Sequence, residues 1–208
     1  MLPEEILKTI GEMMAGAAVI GVPMTIKWLK EKSEKIHFTT KKIDIAQLVS
    51  DKLTDMRAEY HIDRIGLLEF SNGDRSVQGF PFLFVTMTYE KCKMNVASIK
   101  HMVNKTPASW YVEFNSYFTK KECRYACFFD DGRCWIDGGA EFKNEETGRI
   151  LNGFGIKSQY TFKINDNIGM GLINVAFIDE YKKLSDSEIN DILGDCHYIS
   201  VLFNQRPH

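Results

Sequence analysis

The stretch Asp63-Arg-Ile-Gly-Leu-Leu-Glu-Phe70 decides how this chain is read. It is mostly apolar, it follows a segment of helical periodicity, and Ser71-Asn72-Gly73-Asp74 closes it. An apolar run of that length bounded by turn residues predicts a buried strand. Upstream, residues 43–60 place Ile45, Leu48, Val49, Met56 and Tyr60 on one helical face, with Leu53 at its margin and Asp44, Asp51, Lys52 and Asp55 elsewhere. Downstream, Pro81 to Tyr89 predicts a second strand, and residues 92–104 predict a helix. Trp110 to Phe118 is compatible with helix or strand. Tyr125 to Phe129 predicts a strand ended by Asp130-Asp131-Gly132. Residues 155–164 and 170–178 predict a closing hairpin about Asn165-Asp166-Asn167.

The last helix has the clearest start signal. Ser185 and Glu188 have the spacing of a capping box, Leu184 can staple to Ile189, and Ile189, Ile192, Leu193, Cys196 and Ile199 form an apolar face. Antiparallel strands flanked by helices from both ends predict an α+β domain: one antiparallel sheet, with the 43–60 and 185–203 helices on the same face.

A helix leading into Asp63-Arg-Ile-Gly-Leu-Leu-Glu-Phe70 resembles the opening of GAF-like domains. Ile168-Gly-Met-Gly-Leu-Ile-Asn-Val-Ala-Phe177, followed by Leu184-Ser-Asp-Ser-Glu188 and a helix, resembles their closing strands and helix. Phe70-Ser-Asn-Gly73, Gly79-Phe-Pro-Phe82 and Thr86-Met-Thr-Tyr-Glu90 resemble small GAF-like proteins encoded by bacteriophages, which often carry an apolar amino-terminal helix. The resemblance spans roughly residues 43–205. It implies a ligand cavity between the sheet and the middle of the chain, lined from Phe82, Phe84, Trp110 and Phe114, with Asn72, Arg75 and Glu90 as polar anchors; Phe80, Tyr89 and Tyr111 are further aromatics of that interval. The alternative for the aromatics is plain core or dimer packing. Two family sites do not transfer. Asn174-Val175, Phe177 and Asp179-Glu180 lack the lysine and the spacing of the cyclic-nucleotide signature. Cys196-His197 has the bilin-attachment dipeptide but lies in the closing helix.

Composition narrows the function classes. The 208 residues are 44% hydrophobic and 26% charged, which excludes a disordered or polytopic membrane chain. With 26 basic and 28 acidic residues, the net charge of −2 offers nothing global to nucleic acid. Five cysteines are an odd number in a chain long enough to build a core, so reduced thiols are expected.

The amino end is a candidate anchor. Met13 to Ile26 carries no charge, and six lysines follow between Lys27 and Lys42. As a helix the uncharged run is about 21 Å long, shorter than a bilayer core, and residues 9–29 reach spanning length only by including Glu12 and Lys27. Val19, Ile20, Val22, Ile26 and Trp28 are its candidate membrane or assembly contacts. Three readings stand: a lipid anchor with a cytoplasmic domain behind it, an apolar helix packed in an oligomer, and a cleaved signal peptide. The parts are residues 1–30 as anchor or assembly helix, 31–42 as lysine-rich linker and 43–208 as GAF-like domain. A continuous helix through the linker would favour parallel pairing, although Phe38-Thr39-Thr40 weakens it.

No catalytic residue and no metal or cofactor site is assigned. Cys123, Cys127 and Cys134 (C-x3-C-x6-C) lack a nearby histidine for zinc and read as small hydrophobes, with a thiol redox role as the alternative. Asp130, Asp131 and Asp137 read as turn residues or, alternatively, as ligands of a hard cation. Gly153-Phe-Gly-Ile-Lys-Ser158 lacks phosphate-loop spacing. The leading reading is a non-enzymatic ligand-sensing or scaffold module, tethered to a membrane or a homo-oligomer through residues 1–30. The alternatives are a phage virion protein and a GAF-fold thiol enzyme.

Overall fold

A computed structural model describes residues 22–75, 81–107, 123–137, 141–165 and 170–205. The chain divides into two units, one of residues 1–44 with 207–208, the other of residues 45–206. Helix α1, Val22–Glu59, belongs to both. It runs unbroken through Phe38-Thr39-Thr40, because threonine costs a helix only tenths of a kcal/mol. The linker expected at 31–42 is therefore helical. In the first unit Trp28 is 45% exposed, with the Lys32 ammonium 4.7 Å from its ring centroid. Val22 and Ile26 lie in this helix; Val19 and Ile20 lie outside the described residues. Among the described residues, no helix is long and apolar enough to cross a membrane.

The second unit is built on strands β1 (Arg64–Arg75), β2 (Pro81–Cys92), β3 (Thr106–Pro107), β4 (Tyr125–Phe129), β5 (Arg133–Ile136), β6 (Glu141–Lys143), β7 (Ser158–Asn165) and β8 (Met170–Phe177). Helices α2 (Glu145–Gly153) and α3 (Asp186–Asn204) complete it. The strands form one antiparallel sheet in the order β3-β2-β1-β8-β7-β4-β5-β6, with the expected β7–β8 hairpin inside it. Strands β3, β5, β6 and helix α2 are too short to show a period and were not legible beforehand.

Both long helices cover one face. Ile45, Val49, Leu53, Met56 and Tyr60 of α1 and Ile189, Ile192, Cys196, Ile199 and Leu202 of α3 share a core with alternate residues of the central strands, among them Ile65, Leu67, Tyr160, Phe162, Ile173 and Val175. Leu53 proves central and Leu48 exposed, the reverse of the sequence expectation, because 45, 49, 53, 56 and 60 form the straighter i, i+3/i+4 ladder. The α3 capping box is present with both of its reciprocal bonds.

The opposite face carries a second apolar cluster, with Leu68, Val85, Met87, Ala126, Phe128, Leu172 and Ala176 from the strands and Leu151 from α2. Helix α2 closes on the β4–β5 turn because residue 148 is glycine: a Cβ there would lie 2.7 Å from Gly132 N. The helix expected over 92–104 is absent. Its backbone turns instead, with Asn95 in the left-handed region: Ile99 N and Lys100 N donate to the Glu90 carboxylate, Val96 N and Met102 N to carbonyls three residues back, and Val103 N to Ile99 O in an isolated helical turn.

Candidate functional site

Register sets which side chains meet on the face away from α1 and α3. Gln159, Ala176, Arg64 and Cys92 are successive partners across β7, β8, β1 and β2, and Thr161, Asn174, Gly66 and Glu90 form the next row. Glu90 reaches this face through a bulge. Leu67 pairs with Tyr89 but Leu68 with Met87, so Thr88 is an extra residue and the faces of β2 exchange there.

Arg64 is 4% exposed. Its Nη2 donates to Ala97 O at 2.9 Å, and its Nε lies 3.6 Å from Glu90 Oε1. Among the described residues, Nε and Nη1 have no hydrogen-bond acceptor. Glu90 accepts from Ile99 N at 2.9 Å, from Lys100 N at 3.2 Å and from the Ser98 hydroxyl. This buried ion pair is the latch that holds residues 97–100. Its carboxylate takes the Ile99 and Lys100 amides that a helix over 92–104 would have bonded internally. Burial, then the Glu90 charge, pushes the Cys92 thiol up, with Arg64 opposing them.

Beside it, Gln159 Nε2 donates to Thr161 Oγ1 at 3.3 Å and Thr161 Oγ1 donates to Asn174 Oδ1 at 3.0 Å. Gln159 and Thr161 are buried. Three adjacent polar side chains on the inner strands of a sheet are costly against an apolar cover, so this face is suited to a partly polar occupant. Behind the row, Asp63 ties β1 to the end of β8. It accepts from Ile178 N at 2.8 Å and from Lys93 Nζ at 3.1 Å. Burial opposes its ionisation, yet those two donors hold its carboxyl below the usual carboxylate range.

Of the residues expected to form the pocket, Trp110 and Phe114, with Phe80 and Tyr111, lie outside the described residues. Asn72 pairs with Leu83 and Arg75 with Pro81 at the far ends of β1 and β2, and Phe82 lies in β2. Phe84 pairs with Ser71, which by strand alternation is the helix-bearing face, whereas Glu90 opposite Gly66 is on the other. Arg64, Gln159, Thr161 and Asn174 were missed. The available signal was a charge or polar group inside a strand otherwise made of core residues.

The sheet separates the cysteines. Cys127 packs in the helix-side core, whereas Cys123 and Cys134 pack on the other face. Burial pushes the thiol of Cys127 up to about 12 and that of Cys134 up to about 11, and pushes that of Cys196 up further. Such thiols are protonated at neutral pH and poor nucleophiles. Among the described residues no group of His, Cys, Asp or Glu is arranged to hold a metal. The aspartates are each engaged: Asp130 by Lys157 Nζ at 3.0 Å and the Tyr181 hydroxyl, Asp131 by Arg133, and Asp137 by both Nε and Nη2 of Arg124. Gly155 is left-handed just past the end of α2, with strand β7 following, so this segment offers phosphate no helix amino terminus.

No protein-family model matches the chain, and no curated protein matches it. Solved structures do. The chain is similar to the phycocyanobilin-bound GAF domain from a cyanobacterial phytochrome, at 15% identity and a TM-score of 0.64, covering 84% of this chain and 94% of that one. It is similar to the phycoerythrobilin-bound GAF domain from a cyanobacterial phytochrome, at 14% identity and a TM-score of 0.63, covering 86% and 96%. It is also similar to the blue-light absorbing form of the Thermosynechococcus elongatus PixJ GAF domain, at 15% identity and a TM-score of 0.57, covering 79% and 88%. At these identities the likeness is one of architecture: the fold of this chain is GAF-like, an antiparallel sheet with its terminal helices on one face and a polar row, Arg64 and Glu90 on the other.

Proposed function

We propose that this chain is a non-enzymatic, ligand-sensing module of the GAF type, tethered through its amino-terminal helical segment. The carrying observation is the polar row of buried Gln159 and Thr161 with half-buried Asn174, beside buried Arg64, whose Nε and Nη1 have no acceptor among the described residues. A GAF-like sheet that held only its own core would gain nothing from these groups. The fold neighbours whose structures contain bilins support a sensing role. Buried, protonated thiols on opposite faces weigh against thiol chemistry. Native mass spectrometry of protein purified from its source tests the reading. A retained small molecule, lost in Thr161→Val or Asn174→Leu, is expected; a bare chain that no small-molecule mixture stabilises would overturn it.

The tether is proposed at the cytoplasmic face of a membrane. Met13 to Ile26 would enter the apolar boundary, Trp28 would sit at its edge, and Lys27, Lys30, Lys32 and Lys35 would each add about 1 kcal/mol at an anionic surface. Detergent-dependent extraction is expected, with Val19→Arg releasing the chain. Release by high salt alone would overturn it. Self-association through α1 completes the proposal. Light scattering is expected to give a dimer for the full chain and a weaker one for a chain beginning at residue 40. The virion alternative rests only on stretches that resemble phage-encoded GAF-like proteins and predicts ring or shell assemblies without detergent.

A further inference from the structure

Most of the outer edge of strand β2 is not covered by a strand among the described residues. Short β3 pairs only with Phe84 and Val85. Beyond it the loop 98–104 runs alongside, with Met87 N donating to Val103 O at 2.8 Å. Between loop and strand lies an open cleft of about 500 Å³, within the size range of small-molecule sites. Thr86, Met87 and Thr88 form the strand wall, and Lys100, His101 and Asn104 form the loop wall.

The chemistry of this cleft is one-sided. Thr86 Oγ1 accepts from Lys105 N, which leaves its hydroxyl proton to donate elsewhere. The Lys100 ammonium gives one hydrogen bond to Thr88 O and has two N–H groups left. Among the described residues, the side chains of His101 and Asn104 make no hydrogen bond, and no carboxylate lines the cleft. Two acids stand nearby: Glu69, opposite Thr86 across β1 and β2 and engaged in an interaction of its own, and Glu90, reached through the lining residue Ser98. Glu90 is already engaged by Ser98, by two backbone amides and by Arg64. Met87 supplies an apolar contact. Uncommitted donors, a cation and one apolar contact, with no acid among them, complement an oxyanion carried on a small organic body.

We infer that this edge cleft is a binding site for a small organic anion, its phosphate or carboxylate head held by Lys100, Thr86 and Asn104. It lies outside the polar row on the sheet face and does not depend on the sensing proposal. Because the loop that would grip the anion is the one latched to Arg64 and Glu90, occupancy bears directly on residues 97–100.

A matched series tests it on the full chain: glucose 6-phosphate, gluconate and uncharged glucose, each titrated while the amide resonances of residues 98–104 are followed by NMR and heats by calorimetry. At least one anion is expected to move Lys100, His101 and Asn104, glucose none of them, and the tighter anion identifies the head group. Loss of one charge-assisted contact in Lys100→Ala should weaken binding about tenfold, and Lys100→Arg should restore it. Asn104→Asp, at an exposed position, places a carboxylate in the cleft and should abolish binding without lowering the melting temperature. Silence from both anions up to roughly 20 mM, well above a millimolar affinity, would overturn the assignment. So would glucose binding as tightly as the anions, or anion binding unchanged in Lys100→Ala and Asn104→Asp. A retained-ligand result at the sheet face leaves all of these readouts unaffected.

Discussion

The two faces of the sheet are made by the same strands and do different work. On the helix side, Ile65, Leu67, Tyr160, Phe162, Ile173 and Val175 share one core with apolar side chains from α1 and α3. On the other, the same strands present Arg64, Thr161, Asn174 and Gln159 among Leu68, Leu172 and Ala176. Closeness of packing is what the first face contributes to stability. The second gives up part of that contribution, since each buried polar group needs a partner to break even. A fold that concentrates its polar groups on one face keeps the other as a rigid support.

The comparison breaks first at Leu53. It is fully buried at the centre of the helix-side face, and Leu53→Ala should cost about 3–5 kcal/mol in urea unfolding. A loss below about 1 kcal/mol would show that this face tolerates voids and is not the support described. Glu90→Gln probes the other face. Removing the charge leaves the Arg64 guanidinium buried without its counter-ion, a loss of about 3 kcal/mol, whereas Arg64→Met together with Glu90→Met should cost less than the sum of the two single changes. Additive losses would show that the pair is not coupled.

Asp63 sharpens the comparison through pH. Its folded carboxyl titrates below the unfolded value, so the stability it contributes is complete above the ordinary aspartate range, near pH 4, and is lost as pH falls through the folded value. Asp63→Asn should therefore be less stable than the wild type by about 2 kcal/mol at neutral pH, and the two should converge on acidification. Parallel pH curves would remove Asp63 from the junction. The smallest effect belongs to the α3 start, where Ser185→Ala should lower stability by about 1 kcal/mol with no change on the polar face.

Helix α3 and strand β1 were legible because their signals are local. Ser185 and Glu188 stand three residues apart and satisfy each other within one turn, and the apolar run Ile65–Leu68 needs no knowledge of its neighbours. The β7–β8 hairpin was legible for the same reason. The candidate pocket was less so. Phe84 and Glu90 were grouped through the resemblance to GAF-like domains, but β2 places them on opposite faces. Residues 92–104 have an apolar spacing suited to a helix, yet the Glu90 carboxylate takes the Ile99 and Lys100 amides.

By itself, then, the sequence determined the period of the long elements, the cap of α3, the two strands of the closing hairpin and the α+β order, all settled by interactions within a few residues. Only the tertiary structure decided which side of the sheet a residue serves. The extra residue Thr88 turns Glu90 toward Arg64, and pairing across β4 and β5 sends Cys127 and Cys134 to opposite faces. Strand alternation has a period of two, so a single bulge or a one-residue register choice reverses every side chain beyond it. That choice is made by the partner strand, distant in sequence, and not by the local residues.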